Sequence, residues 1–118
     1  MAKKILIADD DTAILEATKM LLELGGYEVQ TAVDGEAVSD AFKDPPDLLL
    51  LDIWMSGENG KDICKMLKAQ KSTKHVPIIM ISASRDIAES AQEAGADDFI
   101  AKPFEMSYLL AKIEEHVS

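Results

Sequence analysis

Two apolar runs without alternation, Asp47-Leu48-Leu49-Leu50-Leu51 and Val76-Pro77-Ile78-Ile79-Met80-Ile81, constrain this chain more than any other feature. A strand with one wet face alternates apolar and polar side chains. A continuous apolar run therefore belongs to a strand covered on both faces, as in a parallel sheet. Parallel neighbours cannot be joined by a tight turn, so each pair requires a crossover, usually a helix.

The rest of the sequence supplies those crossovers. Apolar runs near 4–9, 27–32, 47–51, 76–81 and 97–101 alternate with helical periodicity near 12–24, 35–43, 60–70, 86–94 and 104–117. Five βα units in one short chain predict an α/β, doubly wound five-stranded parallel sheet of order 2-1-3-4-5, the flavodoxin-like (βα)5 arrangement. Ile14, Leu15, Thr18, Leu21 and Leu22 form a stripe on the first helix, which stops at Gly25-Gly26. Met106, Leu109, Leu110, Ile113 and Val117 form one on the last, and both stripes are predicted to be core. The fourth helix offers Ile87 and the small residues Ala88, Ala91 and Ala94, which makes it the helix with least apolar area to bury.

In such sheets ligands bind beyond the carboxyl ends of the strands, at the switch point between strands 1 and 3. Asp9 and Asp10 follow the first apolar run, Asp52 the third, Ser82 the fourth and Lys102-Pro103 the fifth. Three carboxylates, a hydroxyl and a lysine at one edge suit a hard divalent cation and a phosphoryl group. Asp11 and Thr12 fit better as caps of the first helix. Cys64 is read as a packed helix residue, and no partner is recognisable for His75 or His116. Lys61, Lys65, Lys68, Lys71 and Lys74 are read as a solvated basic stripe.

With 12 Lys and Arg against 22 Asp and Glu, the formal charge is −10. That balance opposes binding to nucleic acid backbones and anionic membranes. Only four apolar residues, Ile5 to Ala8, precede the first aspartates, so neither a signal-peptide core nor a membrane span is predicted and a cytoplasmic protein is expected. Its 118 residues predict one domain, 1–118, without an output domain.

Taken together, Asp9-Asp10, Asp52, Ser82, Phe99 and Lys102-Pro103 stand in the order and at the spacing by which the chain resembles the receiver domains of two-component response regulators. The resemblance covers essentially the whole length. It implies that Asp52 accepts a phosphoryl group from a sensor histidine kinase, a phosphotransfer protein or a small phosphodonor, with Lys102 and Ser82 contacting the phosphoryl oxygens. It implies a magnesium site, or manganese in its place, made by Asp9, Asp10, Asp52 and the backbone carbonyl of Trp54. It also implies a cis Lys102-Pro103 bond, and a switch in which Ser82 and Phe99 move together and remodel the surface of helix 4, strand 5 and helix 5 for a target protein. The activity implied is signalling, with self-phosphorylation and self-dephosphorylation only.

The chain departs from that family where Ser56 replaces a usual proline and where bulky Trp54 stands two residues beyond the acceptor. A more mobile loop is expected from the first, and hindered access of hydrolytic water from the second. A haloacid-dehalogenase-like phosphatase would need a second aspartate at position 54, and neither G-x-G-x-x-G nor G-x-x-x-x-G-K-[ST] is present for a nucleotide module. A receiver fold used only for protein contacts is the remaining alternative.

Overall fold

The computed structural model describes residues 2–55 and 57–117. Strands β1 (Lys4–Ala8), β2 (Glu28–Ala32), β3 (Leu48–Asp52), β6 (Ile78–Ser82) and β7 (Asp98–Ala101) form one parallel sheet in the order β2-β1-β3-β6-β7. This is the predicted order, with two numbers taken by a short antiparallel ribbon, β4 (Trp54–Met55) and β5 (Glu58–Asn59), which the apolar pattern does not announce. The helices are α1 (Thr12–Leu24), α2 (Gly35–Ala41), α3 (Gly60–Ala69), α4 (Ile87–Ala94) and α5 (Met106–Val117). Ser56, the replaced proline, lies outside the described residues.

Side chains alternate across the sheet, so both faces of the apolar runs are used. Leu6, Leu49, Leu51, Ile78 and Met80 pack toward α2, α3 and α4 with Val38, Cys64, Leu67 and Ala91. Ile5, Ile7, Leu48, Leu50 and Ile79 pack toward α1 and α5 with Leu15, Leu22, Leu109 and Ile113. All four leucines of 48–51 are fully buried. The pairing register, Ile5 with Leu48 and Leu49 with Ile78, brings the carboxyl ends of β1, β3 and β6 to one edge.

Two expectations about helix faces need correction. On α1 the buried residues are Leu15, Thr18 and Leu22, whereas Ile14 and Leu21 are exposed, because a helix lying on one side of a sheet buries a single narrow arc. On α4 the buried face is Ile87, Ser90, Ala91 and Ala94, with Ala88 outside. Its Asp86 makes no side-chain capping bond, unlike Asp11, whose Oδ1 accepts from the N–H groups of Ala13 and Ile14. Gly26 takes the positive φ expected after α1.

The lysine stripe is not uniformly solvated. Lys68 Nζ donates to the carbonyls of Lys74 and Val76 and to Asp97 Oδ2, which also accepts from Ile78 N–H. This node ties the end of α3 to the starts of β6 and β7. Lys61 pairs with Glu93 at 3.0 Å and so links α3 to α4. His116 also has a partner: it shares Asp98 with Lys112, binding α5 to β7. Those two hydrogen bonds outweigh the opposing effect of burial and hold the Asp98 carboxyl below the usual range. Cys64 is buried, and desolvation pushes its thiol up to about 11, where it is unreactive.

Gly60 begins α3 where that helix meets the end of β3. A Cβ there would stand 2.5 Å from the Asp52 carbonyl oxygen and 2.9 Å from Ile53 Cα, both backbone atoms that cannot step aside. Gly60→Ala is expected to destabilise the fold by about 2–3 kcal/mol, an overpacking cost, read as a lower urea midpoint at unchanged slope. A midpoint equal to wild type would show that this junction yields freely.

Candidate functional site

The site is the edge where β1, β3, β6 and β7 end. Asp9 follows β1 and is held by the backbone: its N–H donates to the Ala32 carbonyl at 3.1 Å, and its Oδ1 accepts from Asp11 N–H at 3.0 Å. Asp52 closes β3, half-buried, with Oδ1 accepting from Trp54 N–H at 3.2 Å. Lys102 follows β7, and its backbone N–H donates to the Ser82 carbonyl at 2.9 Å. Its Nζ lies 2.9 Å from Asp52 Oδ2 and 3.6 Å from Asp9 Oδ2. The Lys102-Pro103 bond is cis, as expected.

The electrostatics follow from this geometry. Burial raises the Asp9 carboxyl above its ordinary range, and the Asp52 charge adds to the rise, against the Asp11 N–H and the Lys102 ammonium. Burial alone would lower Lys102, but its hydrogen bond and charge attraction to Asp52, reinforced by Asp9, prevail and raise it. The lysine therefore stays charged while Asp9 carries the strain of an acidic site.

The remaining predicted residues are placed less uniformly. Asp10 is exposed beside Asp9. Ser82 is buried at the end of β6, and its Oγ accepts from Ser84 N–H at 3.0 Å. Phe99 lies outward on β7, 36% exposed, in a groove of about 410 Å³ with Phe104 and Tyr108. Trp54 is 61% exposed on the ribbon after the acceptor strand. With Asn59, Lys61 and Ser84 it lines a cleft of about 140 Å³. The ion pairs of Lys102 thus unite Asp9 and Asp52.

Sequence reasoning missed two supports. Glu58 Oε2 accepts from Gly35 N–H at 2.7 Å, tying the ribbon to the start of α2, and Ser84 Oγ donates to Asp86 while its N–H holds Ser82. Ser84, two residues beyond Ser82, had a signal in the polar Ser-Ala-Ser-Arg-Asp segment; Glu58 had none.

Among the described residues no group of three or more His, Cys, Asp or Glu side chains is close enough to hold a metal ion unaided. The donor set nevertheless fits magnesium, which is commonly bound through one or two carboxylates and keeps several waters rather than filling a closed protein cage. A cation would also relieve the repulsion that raises Asp9. In metal-free buffer, Asp9→Asn is expected to melt a few degrees higher than wild type at neutral pH. Because the folded pKa of Asp9 is raised, protonation favours the folded state, so this gap should close as pH falls through that pKa toward about 4. A gap that widens on acidification would contradict the burial cost.

Comparison with known proteins places these features in a wider group. Residues 5–114 match the family model for the response regulator receiver domain. The chain is 37% identical over 113 residues to the DNA-binding dual master transcriptional regulator RpaA of Synechocystis sp., covering 93% of this chain and 47% of that protein. It is 36% identical over 116 residues to the DNA-binding response regulator MtrA of Mycobacterium tuberculosis, covering 96% and 50%. The chain spans half or less of the curated relatives it matches. Among solved structures, a CheY-like receiver domain protein of Methanospirillum hungatei JF-1 superposes with a TM-score of 0.88 at 36% identity, covering 99% of this chain and 94% of that one. The chemotaxis response regulator CheY4 of Vibrio cholerae gives 0.89 at 29% identity, covering 98% of each.

Proposed function

The chain belongs to the response regulator receiver domain family, and from that premise we propose that Asp52 is the acceptor of a phosphoryl group in a phosphorelay. The observation that carries this reading is the Lys102 ammonium 2.9 Å from Asp52 Oδ2, with buried Asp9 on its other side. The donor is a sensor histidine kinase or phosphotransfer protein, or a small acyl phosphate. An Asp52 carboxylate oxygen attacks the phosphorus, and the bond from phosphorus to the donor nitrogen or oxygen breaks. The carboxylate is itself the nucleophile, so no separate base is required.

Lys102 moves from holding the two carboxylates to pairing with the transferred phosphoryl oxygens. Ser82 is poised to donate its hydroxyl to one of them once its Oγ leaves Ser84 N–H. Asp9, Asp10, Asp52 and the Trp54 carbonyl would hold magnesium, or manganese in its place. Bound there, the cation compensates the charge of carboxylates and phosphoryl together. These groups position and neutralise, the expected division of labour in phosphoryl transfer.

Movement of Ser82 toward the phosphoryl group opens space beneath it, and Phe99, now outward, turns in to fill it. The faces of α4, β7 and α5 change accordingly and are offered to a target protein. The driving free energy is the difference between the phosphoryl contacts in the two states. α4, with its small buried side chains and uncapped start, is the element that can shift at least cost. A pure contact module would not require the Asp9, Asp52 and Lys102 cluster.

The direct test is intact mass after incubation with acetyl phosphate, with and without magnesium, beside an Asp52→Asn control. One phosphoryl group gained only with the metal and only with Asp52 is the expected result. No adduct and no beryllofluoride binding, despite measurable magnesium binding, would remove the reading. Trp54 lies two residues beyond Asp52 with its backbone N–H on Asp52 Oδ1, and its bulk is proposed to slow hydrolysis of the acyl phosphate. Trp54→Asn is expected to shorten the phosphorylated lifetime several-fold, followed by loss of that mass with time; an equal or longer lifetime would rule the role out.

A further inference from the structure

The segment between Ser82 and α4 departs from the pattern set by the first three helices. Asp11, Asp34 and Asn59 precede α1, α2 and α3 with extended backbone, at ψ of 103°, 176° and 115°, and each side chain accepts a hydrogen bond from the first turn of its helix. Asp86 precedes α4 with φ of −97°, close to the −89° of Asp11 and the −92° of Asn59, yet its ψ is 22° and its side chain makes no capping bond. Local sequence favours such a bond, since Asp86-Ile87-Ala88-Glu89 places an acid three residues after a good capping residue. The carboxylate is occupied elsewhere. Its Oδ1 accepts from Ser84 Oγ, and the Ser84 N–H in turn holds Ser82 Oγ at 3.0 Å. Two hydrogen bonds thus connect the buried hydroxyl of Ser82 to the residue before α4, and a local preference is left unmet beside the site, where such conflicts tend to be functional.

Resting on Ser82 as the switch hydroxyl of the phosphoacceptor site, we propose that Ser84 and Asp86 are positioning residues that exchange partners during switching. In the resting state Asp86 holds Ser84; in the activated state it caps α4 through the N–H of Ala88 or Glu89. The backbone supplies the coupling. The Asp86 carbonyl accepts from Ser90 N–H at 2.9 Å, the first bond of the helix, and buried Ile87 and Ser90 anchor that turn. Opening ψ toward the extended range therefore turns the chain on the amino-terminal side of Asp86, residues 83–85, rather than the helix. Ser84 and Arg85 are exposed, so this segment can turn without opening the core. Its movement takes the Ser84 N–H away from Ser82 Oγ. Release of the Ser82 hydroxyl and capping of α4 are then one step, which carries the phosphoryl signal from β6 into the helix.

Amide exchange without ligand and titration with beryllofluoride in magnesium test the exchange of partners. Ser84 and Asp86 are exposed, so their variants are expected to fold as wild type does. Ser84→Ala frees Asp86. The Ala88 or Glu89 amide should exchange more slowly even without ligand, and beryllofluoride affinity should rise about fivefold, the population shift that one cap supplies. Ser84→Thr keeps the hydroxyl and should leave both values at wild type. Asp86→Ala removes both bonds between which the carboxylate alternates, so affinity should stay near wild type, and adding Ser84→Ala to it should change nothing further. A gain from Ser84→Ala that persists on the Asp86→Ala background would mean simple loosening of the loop and would overturn the proposal. Ligand-free Ala88 and Glu89 amides that Ser84→Ala leaves unchanged would overturn it as well. Failure of the wild type to bind beryllofluoride would instead remove the phosphoacceptor reading, and the ligand-free amides would still decide whether Asp86 changes partner.

Discussion

One ammonium group, Lys102 Nζ, stands between Asp52 and Asp9, and the arrangement of the sheet edge depends on it. β1 and β3 end in carboxylates within a few ångströms of each other, and Asp9 is buried. Charges of one sign in such a place are costly, and removing the partner of a buried charge costs more than the pair itself contributes. β7 supplies the compensating charge from its own end, so the outer strand is tied electrostatically to the two strands at the centre. The same cation is available to a phosphoryl group without any new side chain being brought in.

Around that pair the backbone is held by close contacts. α3 starts at Gly60, against the carbonyl of Asp52, and the Lys68 node fixes the opposite ends of α3, β6 and β7. On the other flank Ser82 and Phe99 are only lightly held. Ser82 Oγ rests on one backbone N–H, and Phe99 lies at the surface. A rigid carboxylate end beside a loosely held hydroxyl and ring is the division a two-state switch requires.

Much of this was legible in the sequence because the strongest signals were the simplest. Leu48–Leu51 and Ile78–Ile81 read as buried parallel strands since no polar residue interrupts them, and strand order followed from βα alternation. Asp9, Asp52, Ser82 and Lys102 were legible because they end those runs. What the sequence hid was partnership across space. Ile14 and Leu21 share the periodicity of Leu15 and Leu22, and periodicity does not say which arc of a helix meets the sheet. Lys68 and His116 looked solvated or alone until Asp97 and Asp98, distant in sequence, were brought to them by β7. The ribbon at 54–59 is too short and too polar to carry a strand pattern.

The central claim is that one carboxylate edge takes both a divalent cation and a phosphoryl group at Asp52. Backbone amide NMR during titration with magnesium, followed by beryllofluoride, tests it most directly. Magnesium should shift the amides of residues 9–11 and 52–54, beryllofluoride should extend the changes through Ser82 and Ser84 to Phe99 and Lys102, and Asp52→Asn should abolish the second set. Shifts confined to other surfaces, or a beryllofluoride response that survives Asp52→Asn, would contradict the account.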